Sequence, residues 1–282
     1  MLRTHIAGSL LGLSLMIGCG GSKEPAPQAQ TTQEQEPEAV AVADSPATPV
    51  STEPELASVP EQSEPGDPDF PRGAEAFAAI VVAAQNNDGD AWAKAEARLQ
   101  ELGVQATAAL AARLGDENPV ARELAAMFLA QIGPDAAPAA DGLVKLLQDE
   151  STFARVNAAA ALSTFEGHAD RVTPVLASLL GDGDDNVRLT AAMSLRNVGP
   201  LAIKAVPGLV RILDDSNPQI RAAAATTLGG IGPAATKCLP ALRQLGSDPD
   251  ASVVAAASRA IRQIDESARS KTAEAIPASA TE

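Results

Sequence analysis

The chain repeats itself every 33 residues, and no other feature narrows its possible folds so sharply. Asp recurs at Asp116, Asp149, Asp182, Asp215 and Asp248. Six residues later stand Arg122, Arg155, Arg188 and Arg221, with Val254 breaking the series. Alanines follow at Ala125, Ala158, Ala191, Ala224 and Ala257. Next come Leu129, Leu162, Leu195, Leu228 and Ile261, then Ile132, Phe165, Val198, Ile231 and Ile264. A later column runs Leu143, Leu176, Leu209 and Leu242. A register kept without a gap over so many columns means one structural unit used repeatedly, each copy relying on its neighbours to bury its apolar face.

The spacing inside a unit is helical. Arg122, Ala125, Ala126, Leu129 and Ile132 follow the i, i+3, i+4, i+7 rule for one helix face. The helix then meets Gly133-Pro134, Gly199-Pro200 or Gly232-Pro233. Gly terminates a helix in the left-handed conformation and Pro cannot continue it. In the unit that begins at Asp149 the break is Glu166-Gly167-His168, one residue out of step. A second helix follows, with Leu143, Leu146 and Leu147 as its apolar face in the first aligned unit. Asn118-Pro119, Ser151 and Asn217-Pro218 are good caps for the next first helix. Each unit is therefore helix, tight turn, helix, short acidic loop. A composition that is 45% apolar, with Ala the commonest apolar residue and 2% aromatic residues, suits closely packed helices rather than a sheet sandwich.

These columns resemble the HEAT repeat family, especially the shorter bacterial HEAT-like repeats found also in phycobilisome lyase subunits. The resemblance implies an all-α fold, a right-handed α-α superhelix of about five helical hairpins with capping helices. It covers about residues 88–266. An earlier, divergent unit carries Trp92, Ala95, Leu99, Leu102 and Gly103, then Leu110 and Leu114. Residues 72–87 are expected to form an N-terminal capping helix, 88–268 the solenoid, and 269–282 a disordered tail. The resemblance also implies a role for the Asp and Arg columns. Asp116, Arg122, Asp149, Arg155, Asp182, Arg188, Asp215 and Arg221 would pair between neighbouring units as a structural ladder.

The N-terminus reads as an address. Arg3, an apolar run from Ile6 to Ile17 and Gly18-Cys19 form a secretory signal over residues 1–18. The run is shorter than the roughly 20 residues that a spanning helix needs. Met16-Ile17-Gly18-Cys19 resembles the bacterial lipobox, with Met in place of the commoner Leu. That resemblance implies acylation of Cys19 and a protein anchored by lipid to the outer or inner membrane of the cell envelope, facing the periplasm or the surface. Acyl chains at about 0.8 kcal/mol per buried CH₂ hold a protein stably on a bilayer when two or more are present. Residues 19–71 are rich in Pro and Glu and nearly devoid of large apolar side chains, which predicts a disordered tether with an r.m.s. span of roughly 40 Å.

Charge divides along the same line. Of the net charge of −15, residues 20–71 contribute eleven acidic residues against one Lys, while the remainder from Arg72 onward carries 19 basic and 25 acidic residues. The tether therefore holds most of the acidity, and wholesale affinity for nucleic acid is not expected. Catalytic groups are scarce. The two histidines are His5, within the signal, and His168, at a turn; Cys238 sits in an apolar helical stretch and reads as a small core residue. Asp182-Gly183-Asp184-Asp185-Asn186 lacks the Gly and Glu that a calcium loop requires at its sixth and twelfth positions, where Val187 and Met193 stand. No catalytic residue, metal site or cofactor is expected, and the chain does not read as an enzyme.

One pattern lies outside the expected core. Arg171, Lys204 and Lys237 recur at 33 residues on the second helices, Lys145 and Arg211 share another column, and Arg243 lies nearby. The HEAT resemblance puts second helices on the concave side, so these six residues are candidates for a basic strip that recruits an acidic segment of a protein partner. The functional expectation is a monomeric, membrane-anchored interaction scaffold. The alternatives are an accessory subunit of a lyase-like or chromophore-handling complex, by analogy with the lyase-associated repeats, and an envelope component binding cell-wall polymer. Trp92, Phe128 and Phe153 are spaced as core rather than as a sugar-stacking platform.

Overall fold

The computed structural model describes residues 70–274, and among them every regular element is helical. Helix α1 (Phe70–Asn86) precedes a first hairpin of α2 (Gly89–Leu102) and α3 (Thr107–Ala111). The second hairpin pairs α4 (Pro119–Ile132) with α5 (Ala140–Leu146), and the third pairs α6 (Thr152–Leu162) with α7 (Ala169–Leu179). The fourth pairs α8 (Asp185–Val198) with α9 (Val206–Arg211), and the fifth α10 (Pro218–Ile231) with α11 (Leu239–Gln244). Helix α12 (Ala251–Glu274) closes the series.

The repeated columns are the contact surfaces of this stack. First helices pack in order, α4 on α6, α6 on α8, α8 on α10 and α10 on α12. Ala125, Ala158, Ala191 and Ala224 are wholly buried, as are Leu129, Leu162, Leu195 and Leu228 and the second-helix leucines Leu143, Leu176, Leu209 and Leu242. Alanine in the first set lets neighbouring helices approach closely, while leucine in the others fills the space that the two layers share. Trp92 joins the divergent first hairpin to the second, its ring 6.3 Å from that of Phe128.

Helix ends follow the chemistry of the loops. Asn118 and Asn217 accept the N–H two residues on, at 3.0 and 2.9 Å, and so cap α4 and α10. Gly199 takes φ of 64°, which a residue with a Cβ rarely adopts, and its N–H returns to the carbonyls of Leu195 and Arg196 to end α8.

Two expectations are corrected. The second helices of the second, fourth and fifth hairpins are not single helices. Each opens with a 3-10 segment, Gly133–Ala139, Gly199–Ala205 or Gly232–Cys238, before a short α-helix. Three residues per turn align side chains at i and i+3, and the pairs Ala136/Ala139, Ala202/Ala205 and Ala235/Cys238 are all buried. Cys238 thus fills a slot that alanine fills elsewhere. In the last two of these hairpins a proline (Pro207, Pro240) follows the segment and sits in the first turn of the α-helix, where its missing N–H costs nothing. The second correction concerns the C-terminus. Helix α12 runs on through residues 269–274, where a frayed tail was expected. Its sequence there is Arg-, Ser-, Lys- and Glu-bearing with Ala and contains no Gly or Pro before Pro277, so nothing stops the helix at Ala268. Residues 275–282 lie outside the described residues, as do the signal, Cys19 and the segment 20–69.

Close packing of α10 on α12 makes adjacent glycines respond in opposite ways. A Cβ on Gly229 would stand 2.9 Å from the Cα and 3.1 Å from the Cβ of Ala260 and would collide with Gln263 Oε1, whereas a Cβ on Gly230 meets nothing within 4 Å. In urea melts, Gly229→Ala should destabilise by about 1–3 kcal/mol through overpacking. Gly230→Ala should stabilise by up to about 1 kcal/mol through helix propensity.

Candidate functional site

Three arginines form rungs of one design. Arg122 donates from Nε and Nη2 to the two carboxylate oxygens of Asp149, at 2.7 and 3.0 Å, and from Nη1 to the Asp116 carbonyl at 2.9 Å. Arg188 grips Asp215 at 2.8 and 3.2 Å and the Asp182 carbonyl at 2.9 Å. Arg221 holds Asp248 at 2.8 Å through both Nε and Nη2, and the Asp215 carbonyl at 2.8 Å. Each guanidinium therefore ties the backbone of its own loop to the carboxylate of the next. That carboxylate in turn accepts the N–H two residues on, from Ser151, Asn217 or Asp250, and so positions the start of the following helix. The fork of donors matches a carboxylate bidentately, which a lysine cannot do.

The ladder departs from the expected series at two places. Arg155 bonds the carbonyls of Asp149 and Glu150 at 2.7 and 3.0 Å, but its Nη2 turns to Thr152 Oγ1 at 2.9 Å, and Asp182 is left to accept the Asp184 N–H at 3.0 Å. The expected Arg155–Asp182 pair is thus not formed. This is the hairpin with the displaced turn, and α6 has 11 residues where α4, α8 and α10 each have 14. At the other departure, Asp116 has no partner from the preceding hairpin, because Gly89 stands 27 residues before it; local Arg113 meets it instead at 3.4 Å. Val254 then ends the series, so no guanidinium is left seeking a further carboxylate.

The six cations of the proposed strip are exposed: Lys145 on α5, Arg171 on α7, Lys204 and Lys237 on the 3-10 segments, Arg211 on α9 and Arg243 on α11. None of them is ion-paired among the described residues. Helix α7 packs on the segment Gly199–Ala205, which packs on Gly232–Cys238, so Arg171, Lys204 and Lys237 fall on three successive elements in contact. Surrounding charge separates the six into two groups. Lys145 shares residues 133–148 with Asp135 and Asp141, and Arg171 shares 166–181 with Glu166 and Asp170. Residues 199–214 carry Lys204 and Arg211 against the single carboxylate Asp214, and 232–247 carry Lys237 and Arg243 with no carboxylate. The basic surface is therefore concentrated on the fourth and fifth hairpins. Arg211 and Arg243 lie in the last turns of α9 and α11, where helix carbonyl ends favour a cation.

A feature that the column pattern does not signal lies on the same surface. Leu201 and Ile203 flank the start of the fourth hairpin's second layer and are 68% and 50% exposed. Among the described residues no group of three or more His, Cys, Asp or Glu side chains is arranged to hold a metal ion, and no helix is long and apolar enough to cross a membrane.

Comparison with known proteins agrees with this geometry. The family model of HEAT repeats matches in three overlapping windows, residues 106–196, 140–217 and 206–278. The chain belongs to the HEAT repeat family. Among solved structures it is similar to an engineered protein at 23% identity and a TM-score of 0.52, covering 69% of this chain and 97% of that one. It is also similar to a designed armadillo repeat protein at 20% identity and a TM-score of 0.50, covering 69% and 99%. The complex of CpcE and CpcF of phycocyanin lyase from Nostoc sp. matches at 28% identity with a TM-score of 0.48, covering 57% of this chain and 65% of that one. No curated protein matches the chain.

Within this HEAT array the rungs are sensitive to acid. The Arg122 hydrogen bond holds the Asp149 carboxyl below its ordinary value, overcoming the opposing effect of burial, with help from the Ser151 N–H and the Arg122 and Arg155 charges. For Asp215 burial is the largest effect and pushes upward. Hydrogen bonds from Arg188 and the Asn217 N–H, with the charges of Arg188 and Arg221, together outweigh it and the net direction is down. A folded value below the unfolded one means stabilisation that is complete above about pH 4 and lost as pH falls through the depressed folded values. Urea melts should accordingly show stability falling steeply below about pH 4, and Asp215→Asn should flatten that fall. At pH 7, Arg188→Ala should cost about 1–3 kcal/mol, because it strands a carboxylate that is 7% exposed. Arg155→Ala, which breaks no rung, should cost less.

Proposed function

We propose that this protein is a lipid-anchored, non-enzymatic scaffold. It holds a HEAT array at the bacterial cell envelope and captures an acidic segment of a partner protein on the second layer of its fourth and fifth hairpins. HEAT repeats are interaction modules, which supports the scaffold reading. The observation that carries the partner's chemistry is the set Lys204, Arg211, Lys237 and Arg243. These four cations are exposed, form no ion pair among the described residues and outnumber the carboxylates of their stretches, where only Asp214 stands. Cations held apart from intramolecular partners, on a rigid frame, give a carboxylate-rich segment several contacts at once with little reorganisation. The chain acts as a monomer in this reading. Envelope localisation rests on the signal and on the lipobox-like Met16-Ile17-Gly18-Cys19.

Two measurements test the two halves of the proposal. In cells fed radiolabelled palmitate, the wild type should incorporate label and sediment with membranes, whereas Cys19→Ser should do neither; an unlabelled, soluble wild type would overturn the anchor. For the array, a peptide of alternating Glu and Ser should bind at low ionic strength and weaken as salt is raised. The double variant Lys204→Glu with Lys237→Glu should lose that binding while melting at the wild-type temperature. Binding that the double variant leaves unchanged would sink the basic surface as the site.

A further inference from the structure

The repeat supplies its own control for what the fold needs at each position, and two exposed positions of the fourth hairpin break the pattern. Leu201 corresponds to Asp135 and Ala234 in the second and fifth hairpins, and Ile203 to Ala137 and Thr236. All three 3-10 segments have the same Gly-Pro start and the same buried i, i+3 pair, so the backbone forms equally well with Asp, Ala or Thr at these sites. A leucine 68% exposed and an isoleucine 50% exposed therefore answer to something other than the fold. They are two of only four large apolar side chains exposed among the described residues, and they lie two positions apart. Lys204 follows directly, and Lys237 stands on the adjoining segment.

We infer that Leu201 and Ile203 form an apolar anchor point within the basic surface, and that the partner segment is an acidic peptide carrying a bulky apolar side chain among its carboxylates. This inference rests on the proposed function and specifies its ligand. Charge complementarity sets the acidic character. The exposed pair sets the requirement for an apolar side chain, since polyanions such as polyphosphate or acidic glycans have none to bury against Leu201. An apolar contact flanked by cations also has a clear energetic logic: exposed ion pairs contribute little each, and a desolvated side chain at the centre supplies most of the affinity.

Two peptides of equal length and charge separate the components, one interspersing Glu with Ser and the other Glu with Leu, with polyphosphate as a third probe, each titrated into the soluble chain from Gly20 onward. The Leu peptide should bind roughly tenfold tighter than the Ser peptide, as expected for burying one such side chain. The variant Leu201→Ala with Ile203→Thr installs the residues of the fifth hairpin. It should bring the Leu peptide down to the affinity of the Ser peptide, leave the Ser peptide unchanged and keep the wild-type melting temperature. Equal binding of the two peptides, a leucine advantage that survives the variant, a lowered melting temperature, or polyphosphate matching the Leu peptide would each overturn the anchor while leaving the basic surface intact. Failure of both peptides to bind the wild type would instead overturn the proposed function beneath it.

Discussion

A helical hairpin of about thirty residues cannot bury its own apolar face, and everything else in this array follows from that deficit. Each unit lends one side of its first helix to the unit before and the other to the unit after. The alanine column is what makes this loan possible, because a larger side chain at Ala158 or Ala191 would push the first helices apart and open the leucine layer. Burial of that layer is complete at every unit from Leu129 to Leu228. Stability is thus a property of neighbours, and the two ends must be closed by α1 and α12 rather than by further hairpins.

Apolar burial is non-directional, and it does not by itself fix how one hairpin sits on the next. The arginine rungs supply that direction. A guanidinium that grips a carboxylate bidentately and a carbonyl of its own loop leaves little freedom for the loop between them, and the same carboxylate then sets the start of the next helix. Desolvation of these groups opposes the gain, as the upward effect of burial on Asp215 shows, so the rungs specify register more than they add stability. The gap at Arg155 falls where the turn is displaced and the first helix shortened; there apolar stacking continues, and Asn197 donates to Ser163 Oγ at 3.3 Å in place of a rung.

Charge outside the ladder follows another logic. The ladder uses its arginines and aspartates internally, which leaves the remaining cations to decide the character of the surface. On the second layers of the second and third hairpins carboxylates outnumber them, and on those of the fourth and fifth they outnumber the carboxylates. The second layer thus passes from net acidic to net basic along elements that otherwise repeat.

Much of this was legible in the residues themselves. Periodicity alone determined the all-α class, the hairpin unit, its caps at Asn118 and Asn217 and its core columns, because helix geometry and repetition turn spacing into position. Tertiary structure decided the rest. Only the packed stack shows that Arg155 turns to Thr152 rather than Asp182, since a guanidinium has five donors and sequence does not say which acceptor is nearest. Only the packed stack shows that the second helices open as 3-10 segments with Ala202, Ala205 and Cys238 facing inward, because a three-residue period over one or two turns is too short to read against the α-helical one. The same packing turns Leu201 and Ile203 outward. In sequence they are ordinary apolar residues, and their exposure exists only once their neighbours have taken all the interior there is.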